Sequence, residues 1–389
     1  MSLGKEYVIA LVDCDCFFVS CERVDNPNLN GRAVCVVTTS TNKGIVLSRS
    51  NEAKALGIKM GQPMFQLNGL YPTCHYIPCR HKRYAELSRQ VMAVLREFSP
   101  DVEEVSVDEA FLDLTGMSKM YGVSYEKLAH QIRQRVFEKT KIPVSIGVAT
   151  SKTLAKLASD KAKKNGGVFI IAPQKIREIL SAVKLDEVCG ISHQTVKNFY
   201  KKGVFELNEF LDKDPAWVRQ ALGITGERLR YELSGVCVSP VNAVEQAPQS
   251  IQDTRSLLDF TGSLEVLERC LPCHIHRSSQ KLRKWDGYCA VLSVMLRTKD
   301  FKVQEAEIKL PNPTNSEQTL LRQAHILIKK IYNPRVLYRS VGVTLKNLTF
   351  GKVQQGSLFD SVRPEDDKLS HLIDELEQRY GKQVVKLGM

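Results

Sequence analysis

The sequence lacks an apolar run long enough to cross a membrane, and its first residues lack the basic-then-apolar start of a secretory signal. We therefore expect a cytoplasmic protein without a membrane partner, in which the eleven cysteines stay reduced. Acidic side chains are in the minority, since 43 Asp and Glu against 55 Lys and Arg leave a formal net charge of +12. Residues 249–350 hold 16 basic and 9 acidic residues, a concentration that favours a polyanionic partner.

One cysteine motif resembles a haem-attachment site, but other features of the sequence argue against that function. The segment from Cys270 to His274 matches the pattern of covalent haem attachment, and His276 is a further potential metal ligand. Haem is normally attached outside the cytosol, and the segment resembles the middle of a helix. We therefore expect a partly buried helix face here and no haem or metal site.

Three acidic residues stand at the ends of apolar segments. Residues 102–114 predict a β-hairpin with Asp108 and Glu109 at its turn, and residues 7–12 predict a buried strand that ends in Asp13. An acidic pair taken alone is more often a solvated hairpin tip. Because neighbours in an ideal strand point to opposite faces, Asp108 and Glu109 can share a site only if the backbone bends there.

If the two strands are neighbours, Asp13, Asp108 and Glu109 form a cluster of three carboxylates. Such a cluster repels itself unless cations neutralise it, and oxygen ligands suit hard divalent ions. Two metal ions that clamp the attacking and leaving oxygens are a recurring solution for phosphoryl transfer.

The order of apolar patterns predicts an α+β multidomain protein with two to four domains. Residues 7–166 alternate strands and helices around a small lobe and predict a sheet with helices on one face. Residues 173–233 show helical spacing throughout and predict an all-helical unit. Residues 234–250 read as a linker, and residues 251–350 predict a mixed α/β unit that begins with a helix.

Three sequence blocks, residues 12–18, 106–115 and 151–160, resemble the signature blocks of the Y-family translesion DNA polymerases in their order and spacing. Residues 51–61 and the C-terminal extension are most similar to the UmuC-type branch, the catalytic subunit of bacterial DNA polymerase V. This resemblance covers nearly the whole chain.

The resemblance implies a right-hand polymerase fold. Its parts would be a palm (1–17 and 77–166), fingers (18–76), a helical thumb with a helix–hairpin–helix-like turn (167–233), a linker (234–248), an α/β little finger (249–350) and a C-terminal tail (351–389). The implied activity is template-directed, error-prone DNA synthesis without proofreading, in DNA repair and SOS damage tolerance, with primer–template DNA and dNTPs as substrates.

The same resemblance implies the site residues. Asp13, Asp108 and Glu109 would be catalytic and would hold two Mg²⁺ ions, with the backbone carbonyl of Cys14 as a further ligand. Phe18 would be a steric gate against a ribose 2′-hydroxyl, although its ring could also serve ordinary core packing. The implied nucleotide-binding set is Cys16, Phe17, Phe18, Ser48, Lys54 and Lys163.

Some positions depart from the family pattern. Asn51 stands where many members have tyrosine, and Lys54 stands where many have arginine, whose bidentate fork lysine cannot reproduce. The UmuC-type branch also favours lysine there. Ser192 replaces the second glycine of a Gly-Ile-Gly phosphate-clamp turn in the thumb.

The tail contains a peptide that resembles the bacterial sliding-clamp binding consensus. Gln355 is followed three and four residues later by Leu358 and Phe359, and exposed apolar residues in a polar tail suit docking. The branch also implies a UmuD′-like accessory protein and a recombinase filament as partners.

Two other functions compete with the polymerase. A DNA-binding scaffold without catalysis would have no use for Asp13, Asp108 and Glu109, since buried carboxylates without a bound ion are only a cost. Another two-metal nucleotidyl enzyme, such as a cyclase with a similar palm, would not need the basic region or the clamp-like peptide.

Overall fold

The computed structural model describes residues 6–67, 69–351, 372–376 and 379 of the 389-residue chain. The chain divides into two compact units, Met1–Glu245 and Gln246–Met389, and the division falls inside the predicted linker 234–248. Within the described residues, we find no helix with the length and apolar character needed to span a bilayer.

The first unit contains three kinds of structure: a central sheet, a small lobe and a helical segment. Its strands are β1 (Ile9–Cys14), β2 (Val34–Val37), β3 (Val46–Arg49), β4 (His75–Pro78), β5 (Val102–Glu104), β6 (Glu109–Asp113), β7 (Val144–Ala149) and β8 (Val168–Ile170). Its helices are α1 (Phe17–Asp25), α2 (Asn51–Ala55), α3 (His81–Leu95), α4 (Met117–Tyr121), α5 (Tyr125–Thr140), α6 (Lys152–Ala162), α7 (Ile176–Ser181), α8 (His193–Lys201), α9 (Leu207–Asp212) and α10 (Pro215–Leu233).

The second unit is built around one further sheet. Its strands are β9 (Ile251–Thr261), β10 (Gly287–Thr298), β11 (Val303–Thr314) and β12 (Tyr338–Phe350). Its helices are α11 (Leu264–Glu268), α12 (Leu271–Arg283) and α13 (Glu317–Ile331).

The central sheet has the strand order β5-β6-β1-β7-β8. Strand β1 lies in the middle and pairs antiparallel with both β6 and β7, while β7 and β8 are parallel. All six residues of β1 are buried, as its continuous apolar run predicts. The hairpin predicted at residues 102–114 is confirmed as β5 and β6.

The two faces of this sheet are both covered by helices. Ala10 and Val12 pack in one core with residues of α3 and α5, whereas Ile9 and Leu11 pack in another with α6 and the helical segment α7–α10. The prediction that the helices lie on one face is therefore wrong. The continuous apolar run of β1 explains the difference, because a strand without a polar face must be covered on both sides.

Helix α6 approaches the sheet unusually closely at Gly147 of β7. A Cβ atom at this position would overlap the backbone of Ser159 and of Ala155 in α6. The absence of a side chain at Gly147, together with the small residues Ala155 and Ala158, lets the helix lie directly on β7 and β1. This contact fixes which residues of α6 reach the end of β1.

The small lobe is a three-stranded sheet with the order β3-β2-β4 and a core of its own. Strand β2 pairs antiparallel with β3 and parallel with β4. Helix α2 begins at Asn51, and the Ser50 hydroxyl caps it by accepting from the Ala53 N–H. The apolar runs at residues 33–38 and 45–48 form β2 and β3.

The helical prediction for residues 173–233 is confirmed by α7 to α10. Part of the predicted linker that follows is anchored to the first unit. The buried Glu232 carboxylate accepts hydrogen bonds from the N–H groups of Val238 and Ser239 at 2.8 and 3.1 Å and from Thr153 at 3.1 Å. The Asn242 N–H donates to Glu103 at 2.6 Å.

The second unit has the strand order β11-β10-β12-β9, with α12 and α13 packed on the sheet. The predicted first helix is wrong, because residues 251–261 form the edge strand β9. Ile251 is the only fully buried residue of β9, so the strand shows little apolar alternation. The haem-like motif lies on α12, where His274 is buried against Asp253, and the prediction of a helix face is confirmed.

Replacement of Gly147 tests the close contact between α6 and the sheet. We expect Gly147→Ala to force α6 outward and to destabilise the first unit by about 3 kcal/mol, the upper range for overpacking a core. Chemical denaturation followed by circular dichroism measures the change. Gly262→Ala is the matched control, because a Cβ there meets its nearest neighbour at 3.6 Å. Equal stability of both variants would contradict the packing described.

Candidate active site

Two acidic side chains face each other at one end of the central sheet. Asp13 in β1 and Glu109, the first residue of β6, are direct partners in the antiparallel register. Opposed residues on adjacent strands have Cβ atoms about 5 Å apart, so their side chains share one face. The side chain of Asp13 is only 9% exposed and that of Glu109 is 24% exposed, which makes their charges costly without a partner.

Asp108 lies in the turn of the hairpin, immediately before β6 begins. The N–H groups of Val105 and Ser106 both donate to the Glu109 carbonyl, at 3.0 and 3.3 Å, and tighten the turn. The Cys14 N–H donates to the Asp108 carbonyl oxygen at 2.8 Å and joins this turn to the end of β1. The chain therefore bends where the sequence analysis requires it, and Asp13, Asp108 and Glu109 line the same cavity.

Two lysines of the α6 region neutralise the paired carboxylates. The Lys156 ammonium contacts Glu109 Oε1 and lies 3.2 Å from Asp13 Oδ2. The Lys163 ammonium lies 2.9 Å from the same Asp13 oxygen and 3.0 Å from Asp160 Oδ1. Lys163 is a predicted site residue, whereas sequence reasoning missed Lys156. Lys152, Lys156 and Lys163 recur at spacings of four and seven, the pattern of one helical face, but this spacing alone does not show which surface that face contacts.

Burial and the ion pairs with the lysines together set the pKa values of the charged side chains in the cavity. Burial raises the pKa of Glu109, and the neighbouring Asp13 adds to the increase, while the hydrogen bond from Lys156 opposes it. Burial alone would lower the pKa of Lys156 and of Lys163. Their carboxylate partners outweigh it, so the pKa of each lysine lies above its usual value. Both lysines therefore carry their positive charge across the physiological pH range.

The opposite wall of the cavity comes from α1 and the small lobe. Cys16 has a left-handed backbone with φ of 47° and stands before the N-terminus of α1 without a side-chain cap. The Lys54 ammonium lies 3.2 Å from Cys16 Sγ and 3.1 Å from Asn51 Oδ1, which holds it beside this helix end. Ser48 of β3 also lines the cavity, and so do Arg49 and Met60, which sequence reasoning missed.

Phe18 has both a packing contact and a cavity-facing position. Its ring stacks on Tyr84 with the centroids 4.6 Å apart and the planes 18° apart. Tyr84 is itself fixed, because it is 1% exposed and its hydroxyl donates to Glu22 at 2.6 Å. Phe18 is half-buried and lines the cavity, whereas its neighbour Phe17 is almost completely buried.

The cavity has a volume of about 450 Å³ and brings together the three acids and the predicted nucleotide-binding residues Cys16, Phe17, Phe18, Ser48, Lys54 and Lys163. Cys14 also lines it, although the residue is buried. The predicted clamp-binding residues Gln355, Leu358 and Phe359 lie outside the described residues.

The donor chemistry of the acids fits a hard divalent cation, since all three side chains offer carboxylate oxygens and two of them already attract cationic groups. Among the described residues, however, no three His, Cys, Asp or Glu side chains lie close enough together to hold one ion. The structure thus assembles the carboxylate wall of the cavity, with the Lys156 ammonium between Asp13 and Glu109.

Family models match both halves of the chain. The model of the impB/mucB/samB family matches residues 12–160, and that of the impB/mucB/samB family C-terminal domain matches residues 248–358. The chain is 32% identical to the protein ImpB of Salmonella typhimurium, over 95% of this chain and 90% of ImpB. It is 30% identical to the protein UmuC of the same species, over 96% of this chain and 92% of UmuC.

Similarity extends to named polymerases and to their structures. DNA polymerase IV 1 of Halalkalibacterium halodurans is 30% identical over 99% of this chain and 94% of that protein. The solved structure of a Y-family DNA polymerase chimera of Dbh and Dpo4 superimposes with a TM-score of 0.77 at 26% identity, over 88% of this chain and all of the chimera. The chain belongs to the impB/mucB/samB family of Y-family translesion DNA polymerases.

Proposed function

We propose that this chain is a template-directed DNA polymerase of the translesion type, which extends a primer 3′-hydroxyl without proofreading during DNA damage tolerance. The observation that carries the proposal is the single cavity lined by Asp13, Asp108 and Glu109 on one wall and by Lys54 beside the start of α1 on the other. The acidic wall suits metal ions and the primer 3′-hydroxyl, and the wall with Lys54 suits a polyphosphate. Family membership supports the same activity.

Y-family polymerases use divalent metal ions, and we assign two Mg²⁺ ions to this site. Asp13, Asp108, Glu109 and the carbonyl of Cys14 would hold them. When bound, such ions lower the pKa of the primer hydroxyl and neutralise charge on the triphosphate and the leaving pyrophosphate. The residues of the chain supply the fixed framework, because Asp13 and Glu109 are held opposite each other by the β1–β6 register.

The other wall suits the triphosphate. A helix N-terminus presents backbone N–H groups and a positive dipole end, so Cys16, Phe17 and Phe18 at the start of α1 can bind phosphate oxygens through the backbone. The ammonium groups of Lys54 and Lys163 add point charges, and the Ser48 hydroxyl adds a donor. Phe18 would act as the steric gate, since Tyr84 behind it prevents the ring from retreating.

The larger parts of the chain take their roles from the resemblance. We assign the central sheet with its helices to the palm, the small lobe to the fingers, the α7–α10 segment to the thumb and the second unit to the little finger. Primer–template DNA is the macromolecular substrate, and the excess of basic residues in 249–350 suits its phosphates. We also propose partnerships with a UmuD′-like protein and a recombinase filament, which the UmuC relationship supports.

Removal of one carboxylate tests the activity directly. We expect Asp108→Ala to reduce primer extension with Mg²⁺ by more than about a hundredfold. The variant removes one proposed metal ligand, and the transition state then loses part of its electrostatic stabilisation. Binding of primer–template, measured by fluorescence anisotropy, stays within about twofold because phosphate contacts elsewhere carry it.

Glu104→Gln is the matched control for Asp108→Ala, since Glu104 lies in the same hairpin, is exposed and is bonded to Arg96 outside the cavity. This control should extend primers at the wild-type rate. Extension at the wild-type rate by Asp108→Ala would refute the assigned site, and a wild-type protein that binds DNA without extending it would favour the scaffold.

Sugar selection tests the role of Phe18. We expect Phe18→Ala to lower the preference for a deoxynucleotide over the matching ribonucleotide by at least about tenfold, because a gap replaces the ring. Single-nucleotide insertion kinetics with both sugars measure the preference. Phe137→Ala removes an exposed ring from α5 and should leave it unchanged. An unchanged preference in Phe18→Ala would assign the ring to packing alone.

The tail peptide gives a separate test of the proposed sliding-clamp partner. We expect the double substitution Leu358→Ala and Phe359→Ala to weaken binding to a bacterial sliding clamp by at least about tenfold, since two apolar anchors are removed. Surface plasmon resonance measures the affinity, and Gln354→Ala serves as the neighbouring control. Undiminished binding by the double variant would place the clamp contact elsewhere.

A further inference from the structure

The close packing of α6 delivers an ammonium group to the centre of the acidic wall. Because the bare backbone of Gly147 lets α6 lie on the sheet, the Lys156 ammonium reaches the Asp13 carboxylate in β1. Its side chain is 22% exposed, so its position is set by packing as well as by charge. The location is therefore a built feature of the fold.

Lys156 contacts oxygens that the proposed function assigns to metal ions. Its Nζ atom bridges Asp13 Oδ2 and Glu109 Oε1, the two carboxylates that face each other across the β1–β6 pair. Without a cation between them these two side chains repel each other at close range. The ammonium supplies that cation and holds both carboxylates in place.

A divalent ion and this ammonium cannot share the same oxygens. Mg²⁺ takes its ligands at about 2 Å, so an ion between Asp13 and Glu109 would stand within a few ångströms of the present Lys156 ammonium. Like charges at that separation repel strongly in a partly buried site. Lys163 contacts the same Asp13 oxygen, but its second partner is Asp160 and not Glu109, so its ammonium does not stand between the two facing carboxylates.

We propose that Lys156 is a placeholder cation, whose ammonium bridges Asp13 and Glu109 in the metal-free enzyme and moves off both carboxylates when a divalent ion binds. The flexible stem of lysine permits this exchange without movement of the sheet. Lys156 is thus a positioning residue that keeps the acidic wall assembled between turnovers and sets the apparent affinity for metal. The inference rests on the proposed function, which makes Asp13 and Glu109 metal ligands.

The test is a Mg²⁺ titration of the full-length protein followed by its thermal unfolding midpoint. In EDTA we expect Lys156→Met to unfold at a lower temperature than wild type, because Asp13 and Glu109 lose their shared partner. The Mg²⁺ concentration that gives half of the stabilisation should fall about two- to fivefold in Lys156→Met, the upper part of the range for loss of one ion pair. Lys156→Arg should raise it, since guanidinium binds carboxylates more firmly.

Lys164→Gln, an exposed lysine just beyond α6, is the control and should match wild type. If Lys156→Met is too unstable to purify, Lys156→Gln replaces it, because its amide still donates a hydrogen bond without the charge. An ordinary structural ion pair predicts equal loss of stability with and without Mg²⁺ and an unchanged titration, which would overturn the proposal.

The same experiments distinguish failure of the proposed function from failure of the placeholder role of Lys156. If wild-type protein shows neither a Mg²⁺ response nor Mg²⁺-dependent primer extension, the metal assignment itself fails. If wild type responds to Mg²⁺ and extends primers while Lys156→Met binds the ion no more tightly, only the placeholder role fails.

Discussion

Repulsion between Asp13 and Glu109 is the constraint on which the site depends. Paired backbones hold the two carboxylates opposite each other at the end of a buried strand, where the Asp13 side chain is almost completely buried and that of Glu109 is largely buried. Such an arrangement is stable only with positive charge at hand. In this structure the α6 residue Lys156 supplies that positive charge. In a two-metal phosphoryl-transfer enzyme, divalent ions bind to such carboxylates.

The position of α6 links the core of the protein to its chemistry. Gly147 and the small residues of α6 allow the helix to touch the sheet, and burial of Leu154 and Ala158 with Ile9 and Leu11 holds it there. As a result, a packing feature on β7 determines which lysines stand at the acidic wall. The buried Glu232 adds to this arrangement by accepting from the Thr153 N–H in the first turn of α6.

The second wall combines an element of the central core with the small lobe. Its helix end and its aromatic ring come from α1, which packs in the same core as Ala10 and Val12 of β1, and its lysine comes from the small lobe, which also has a hydrophobic cluster of its own. The stacked pair of Phe18 and Tyr84 shows how a core contact can also present a rigid surface to the cavity. Packing and sugar exclusion are therefore compatible roles for one ring.

Much of this cavity was predictable because each of its acids lies next to a local sequence pattern that indicates a strand or a hairpin. The apolar run of β1 and the hairpin placed Asp13, Asp108 and Glu109, and family motifs pointed to Phe18, Ser48, Lys54 and Lys163. Lys156 was missed because helical spacing shows which residues share a face but not where that face docks. Strand β9 was missed because an edge strand with one fully buried residue carries almost no periodic signal.

The central claim is that three distant acids hold paired divalent ions in one cavity. Anomalous diffraction from crystals grown with Mn²⁺, primer–template and an incoming nucleotide measures this most directly. The account predicts two Mn²⁺ peaks, both within ligand distance of the carboxylates of Asp13, Asp108 and Glu109. Peaks elsewhere, or an Asp108 carboxylate that remains out of reach of both ions in the complete complex, would contradict it.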